Sequence, residues 1–171
     1  MESFADPKQI LEQLKLSEKM IAADFGCGSG GWTIPLAKLL EKGKVYAIDV
    51  QGEPLSALRA RANLEKVGNI EIIVADVEKG TPLPSATADI VLITNLLCQC
   101  YDKTGVIAEA KRVLKPNGKM LIVDWSEDNP LTPSLEKVNF ENLKFFAKSH
   151  DLKVEKEFEA GNYHSALILV K

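Results

Sequence analysis

Hydrophobic positions along this chain fall into short continuous runs, and between the runs they adopt helical spacing. MIAADF at 20–25, KVYAIDV at 44–50, IEIIVAD at 70–76, ADIVLITN at 88–95 and KMLIVDW at 119–125 are apolar almost throughout. Runs of that length predict strands buried on both faces. The intervening segments place apolar residues three and four apart, which predicts helices. The first follows Asp6-Pro7 and carries Ile10, Leu11 and Leu14; the second carries Trp32, Leu36, Leu39 and Leu40 and stops at Gly43. Three more are predicted at 53–67, closed by Gly68, at 103–114, stopped by Pro116, and at 134–150, where Leu135, Val138, Leu143 and Phe146 supply the apolar face. Asn117-Gly118 predicts a turn, 77–88 a turn-rich loop and 126–133 a polar surface loop. Strands at 152–160 and 164–171 flank Gly161-Asn162, a hairpin pair, so one of them runs antiparallel to the rest. The pattern is α/β: a mostly parallel sheet with one antiparallel strand and helices on both faces.

Composition adds bounds. A chain of 171 residues fits a single domain, 1–171. A net charge of −3 argues against a surface built for nucleic acid, although Lys111, Arg112 and Lys115 leave a local basic patch open. No apolar run reaches the roughly 18–20 residues that span a membrane. The opening MESFADPKQ lacks the basic and apolar regions of a signal peptide. Three cysteines fit no disulfide framework, which points to a reduced, cytoplasmic compartment.

The densest chemistry sits in AADFGCGSGGW, 22–32. Gly26, Gly28 and Gly31 satisfy the G-x-G-x-x-G of dinucleotide-binding loops. Asp24, Gly26, Gly28 and Gly30 equally satisfy D-x-G-x-G-x-G. Read alone, the loop fits both. Charge separates them: an acid beside the loop disfavours a pyrophosphate and favours a cationic ligand, unless Asp24 only caps the turn or helix. Asp49 ends the second strand, where a carboxylate accepts both hydroxyls of a ribose. Asp76 ends the third, so three acids gather at one edge of the sheet, the edge where open α/β sheets bind ligands.

These residues resemble the class I S-adenosylmethionine-dependent methyltransferases, whose first motif is D-x-G-x-G-x-G. The resemblance runs from about Leu16 to Lys171 and includes ADIVLITNLL, AKRVLKPNGKMLIVDW and the terminal hairpin. VLKPNGKMLIVDW and GNYHSALILVK are most similar to the ubiquinone/menaquinone-biosynthesis type. It implies a Rossmann-like, seven-stranded sheet in the order 3-2-1-4-5-7-6 and S-adenosyl-L-methionine as cofactor. Carried over residue by residue, Asp24, Gly26, Cys27, Gly28 and Gly30 hold the cofactor in the loop, and Asp49 and Val50 meet the ribose. Asp76 and Val77 meet the adenine, and Asn95 and Leu96 the methionine end. The implied activity is methyl transfer to a small-molecule acceptor by a monomer or homodimer. An RNA or protein methyltransferase, or a cofactor-binding subunit without activity, are the alternatives. A dehydrogenase reading leaves too little chain for a catalytic domain.

Candidates for the acceptor side are fewer. His164 is a candidate general base, and Trp125 and Tyr163 are candidates for the acceptor pocket. His150, the other histidine, follows an apolar helix and is expected at the surface. Asn95 is not followed by the Pro-Pro-aromatic run of many adenine, cytosine and glutamine N-methyltransferases. Cys98 and Cys100 leave only Cys27 as a further thiol, too few ligands for a tetrahedral metal site, so no metal is expected. The N-terminal segment, 1–16, is a candidate lid.

Overall fold

The structure is a computed structural model that describes residues 5–125 and 137–171. Seven strands form one sheet: β1 (Ile21–Phe25), β2 (Lys44–Asp49), β3 (Ile70–Val74), β4 (Ala88–Thr94), β5 (Leu114–Trp125), β6 (Lys153–Glu159) and β7 (His164–Val170). Their spatial order is β3-β2-β1-β4-β5-β7-β6, the order the family resemblance implied. Neighbours pair in parallel except β7, which is antiparallel to both β5 and β6. The chain winds outward from β1 to β3, then returns to lay β4 on the other side of β1. The reversal leaves a crevice above the carboxyl ends of β1 and β4.

Strand residues alternate between two cores. Ala23, Phe25, Val91, Ile93 and Ile122 face a layer built by α4 (Lys103–Val113) and α5 (Phe140–Ser149). Ala22, Ile90, Leu92, Leu121 and Val123 face α1 (Pro7–Leu11), the following 3-10 turn Glu12–Leu14, and α2 (Thr33–Leu39). A third cluster seats α3 (Gly52–Leu64) through Leu55, Leu58 and Ala62 against Ile34 and Ala47. Burial on both faces explains the unbroken apolar runs.

Two local expectations are corrected. Asn117-Gly118 is not a turn ahead of a strand but part of β5, which pairs Leu114 with Ala88 and Lys119 with Ile90 across a bulge. Asn117 takes the left-handed conformation there (φ 65°) and donates its N–H to the Lys171 carbonyl. The last helix starts at Phe140, not 134: Asn139 caps it by accepting the Asn142 amide, and Val138 is extended and donates to the Trp125 carbonyl. Val138 is buried, so its apolar character served that packing and not a helical face. The loop predicted at 126–133 lies outside the described residues, as do 134–136 of that helix.

The N-terminal helix is part of the core. Asp6 caps it by accepting the Lys8 amide, and Ile10, Leu11 and Leu14 are buried against α2 and the sheet.

Candidate functional site

Above the crevice lies a cleft of about 350 Å³. Eight of the residues singled out from the sequence line it: Gly26, Gly28, Asp49, Val50, Asp76, Val77, Asn95 and Leu96. The topology explains the convergence, since the segments that end β1, β2, β3 and β4 all point to this edge.

The loop's glycines serve different neighbours. Gly26, Gly28 and Gly30 all have positive φ, at 70°, 52° and 88°. A Cβ on Gly26 would fall 2.8 Å from Leu96 Cδ1, so its absence lets Leu96 lie over the loop. A Cβ on Gly30 would fall 2.4 Å from Leu58 Cδ1, so that glycine admits α3 and does not line the cleft. A Cβ on Gly28 would meet nothing within 4 Å and would project into open space. The Gly28 N–H donates to Asp49 Oδ2 at 2.9 Å, while Asp49 Oδ1 accepts the Gln51 N–H at 3.0 Å.

Asp24 lies beneath the loop and is fully buried. Its Oδ2 accepts the Thr33 hydroxyl at 2.6 Å, and its Oδ1 has no hydrogen-bond partner among the described residues. Burial pushes this carboxyl up to about 7; the Thr33 bond opposes the shift and the Asp49 charge adds to it. Cys27 is also buried and outside the cleft lining, and burial with the Asp24 and Asp49 charges raises its thiol well above the usual range. Asp76 accepts the Glu78 amide at 3.1 Å and the Lys79 ammonium at 2.8 Å, which hold its carboxyl below the ordinary range.

Gln51, Pro54, Ala75, Glu78 and Gln99 also line the cleft and were missed in the sequence, and Cys100, weighed there only as a metal ligand, lines it too. Their signal was adjacency: Gln51 follows Asp49 at the end of β2 by two residues, and Glu78 follows Asp76, which lies two residues past β3 and does not end it as expected. Burial pushes the Cys100 thiol up to about 11, with nearby acids adding to the shift, so it stays protonated. Asp49, Asp76 and Glu78 line the cleft, and no Lys or Arg does among the described residues.

On the acceptor side, Trp125 and His164 face each other across the β5–β7 pairing, ring centroids 4.4 Å apart, with Tyr163 6.3 Å from Trp125. None of the three lines the cleft. His164 is buried, its imidazole is lowered below the usual range by that burial, and its Nε2 meets Asn95 Oδ1 at 2.8 Å. His150 is exposed at the end of α5 and stacks on Phe146, away from the cleft. Cys98 donates its backbone N–H to buried Asp124 at 3.3 Å, and no group of three or more metal-ligating side chains occurs among the described residues.

Residues 23–122 match the family model of the methyltransferase domain. The chain is 30% identical over 126 residues to the demethylmenaquinone methyltransferase of Lactiplantibacillus plantarum, covering 72% of this chain and 53% of that protein. It is 31% identical over 124 residues to the ubiquinone/menaquinone biosynthesis C-methyltransferase UbiE of Escherichia coli, covering 70% and 49%. The chain thus spans about half the length of the curated relatives it matches. Among solved structures, it is similar to a SAM dependent methyltransferase from Aquifex aeolicus, with a TM-score of 0.87 and 29% identity over 98% of this chain and 90% of that one. A seven-stranded sheet with a reversed seventh strand, a glycine loop after β1 and a match over residues 23–122 lead to one statement: the chain belongs to the methyltransferase domain family.

Proposed function

We propose that this chain transfers a methyl group from S-adenosylmethionine to a small-molecule acceptor. The observation that carries the reading is electrostatic. The cleft is lined by Asp49, Asp76 and Glu78 and by no lysine or arginine among the described residues, Lys79 pairing with Asp76 from outside the lining, and beneath its loop Asp24 keeps one buried carboxylate oxygen without a hydrogen bond among the described residues. A buried oxygen of that kind is costly unless a donor or cation completes it. An adenosine bearing a cationic amino-acid end fits this donor set; a pyrophosphate does not.

When bound, this cofactor supplies a methyl group already activated by its positive sulfur. The chain's part is binding and orientation. Asp24 would compensate the cationic end, Gly28 and its unfilled Cβ space would let the backbone approach, and Asp49 would hold the ribose with its remaining lone pairs. Asp76 and Val77 would meet the adenine. Leu96, set over Gly26, and the protonated thiol of Cys100 give the wall beside Asn95 its less polar surface.

For the acceptor, the names of the relatives support a quinone-type ring, which we take in its dihydroxy form because that form carries ring hydroxyls a side-chain donor can meet. The macromolecular alternative rested on the basic face near Lys111 to Lys119, and that face is largely spent: Arg112 pairs with Glu109, Lys115 with Asp89 and Lys119 with Glu155. No helix among the described residues is long and apolar enough to cross a membrane. The reading extends to a reduced, cytoplasmic setting, with Cys27, Cys98 and Cys100 all outside disulfides, and to a monomer or homodimer.

Calorimetry with S-adenosylhomocysteine and with NADH tests the cofactor. Binding of the first and not the second is expected; the reverse overturns the reading. Methyl transfer to dihydroxynaphthalene, phenol, amine and RNA probes then tests the acceptor class and separates an enzyme from a silent binding subunit.

A further inference from the structure

His164 is a costly choice for its place. It opens β7, is 6% exposed, and packs against Trp125. Its Nδ1 has no hydrogen-bond partner among the described residues. A phenyl ring would fill the same space without stranding a ring nitrogen. The one hydrogen bond the imidazole makes goes from Nε2 to Asn95 Oδ1, at 2.8 Å. A neutral imidazole carries a single N–H, and a carboxamide oxygen only accepts, so the proton sits on Nε2.

Asn95 is the opposite kind of residue. It is exposed and lines the cleft where β4 ends. Its backbone is left-handed (φ 50°), which asparagine tolerates better than most residues. That backbone is pinned on both sides: its N–H donates to the Val123 carbonyl at 2.8 Å, and its carbonyl accepts Gln99 Nε2 at 2.7 Å. With Oδ1 committed to His164, the amide's Nδ2 makes no hydrogen bond to any described residue. The result is a donor held in a fixed orientation at the cleft wall, with its orienting partner buried behind it.

We propose that His164 is a positioning residue that locks the Asn95 carboxamide so that Nδ2 donates to an oxygen of the methyl acceptor, the ring hydroxyl of a dihydroxyaromatic molecule. This rests on the methyl-transfer reading above and adds to it the group that orients the acceptor. Fixing one ring oxygen fixes the ring relative to the cofactor, the kind of orientation from which in-line displacement draws much of its rate. The buried bond explains why a histidine stands where an apolar residue would pack at lower cost.

The test uses the full chain, S-adenosylhomocysteine for binding, S-adenosylmethionine as methyl donor for turnover, and 1,4-dihydroxynaphthalene kept under anaerobic conditions. His164→Phe keeps the ring and loses the donor; His164→Gln keeps a side-chain N–H; Asn95→Gly tolerates the positive φ and loses the amide. For His164→Phe, S-adenosylhomocysteine affinity is expected to hold within about twofold, while dihydroxynaphthalene binding to the loaded protein and kcat/KM fall by about tenfold or more. His164→Gln is expected to recover most of that loss. Asn95→Gly is expected to lose as much as His164→Phe, and the double variant no more than either, because the two act as one unit. The proposal is overturned if His164→Phe binds the probe as the parent does, if it weakens S-adenosylhomocysteine equally, if the losses simply add, or if the loaded parent does not bind the probe. A parent that fails to bind S-adenosylhomocysteine overturns the methyl-transfer reading itself, which is a distinct outcome. Should His164→Phe not fold, the Gln and Gly variants decide.

Discussion

The Asp49 carboxylate accepts the backbone N–H of Gly28 at 2.9 Å, so the end of β2 is fastened to the middle of the loop that follows β1. The same side chain accepts the Gln51 amide at 3.0 Å. Asp49 therefore shapes the loop as well as offering lone pairs to a ligand. Asp49→Asn retains one acceptor oxygen and loses the charge and the second. Its affinity for S-adenosylhomocysteine is expected to fall about 10–100-fold, the scale of one or two charge-assisted hydrogen bonds. Asp151→Asn, at the exposed end of α5, serves as the control in the same calorimetric titration. Equal losses in both would refute the assignment.

Asp24 sets stability against binding. Its carboxyl titrates near 7 in the folded chain because burial disfavours the charge, against 3.8 when unperturbed. The unfolded chain thus releases this proton first as pH rises. The stability the group contributes is whole below about pH 4, is lost progressively up to about pH 7, and stays lost above it. Asp24→Asn removes that slope. Urea unfolding from pH 4 to pH 8 should show the variant gaining on the parent toward alkaline pH. S-adenosylhomocysteine binding should move the other way and weaken in the variant. A parent and variant with parallel pH profiles would contradict this account.

Two glycines of one loop predict two different phenotypes. Gly30→Ala sets a Cβ 2.4 Å from the buried Leu58 at a φ of 88°, so it is expected to cost about 2–4 kcal/mol through overpacking and left-handed strain. Gly28→Ala meets no neighbour within 4 Å at a φ of 52° and should cost only about 1 kcal/mol. Its methyl group enters the ligand space, so S-adenosylhomocysteine affinity is the property it loses. Thermal melts and calorimetry on both variants separate the effects. The prediction fails if Gly28→Ala proves the less stable of the two.

Leu11 tests the N-terminal helix. The side chain is fully buried between α2 and the sheet, so Leu11→Ala should cost about 2–5 kcal/mol. No residue of α1 lines the cleft, so cofactor affinity at a temperature where the variant is folded should stay within about twofold of the parent. A large binding loss without a stability loss would instead support a lid.

What could be read from the chain alone follows from how local the physics is. The strands and the gathering of Asp49 and Asp76 at one edge were legible because buried parallel strands advertise themselves as apolar runs and each acid falls at the end of its run, whereas the strand order came only from the family resemblance. The orientation of Asp24 was not. Its position in the motif is local, but its burial and its bond to Thr33 depend on how α2 seats itself. The bulge at Asn117 escaped for the same reason: Asn-Gly signals a reversal, and only the Lys171 carbonyl, far along the chain, turns it into part of a strand. The bond from His164 to Asn95 spans 69 residues, a distance no periodicity can report.

The excess of acids in the cleft also decides which molecules arrive. Most adenosine in a cell travels with phosphates, as free nucleotides or dinucleotides that vastly outnumber any sulfonium carrier. Among the described residues Asp49, Asp76 and Glu78 share the cleft lining with no lysine or arginine, and Lys79 offsets only Asp76, so each encounter with an anionic adenosine begins against an opposing field, and each encounter with a cationic one begins with it. The effect is a filter on the crowd, set before any contact forms. It should fade as salt shortens the screening length toward about 3 Å at 1 M. On the proposed reading, competition by ATP is a measure of that filter, nearly absent in dilute buffer and growing as the salt rises.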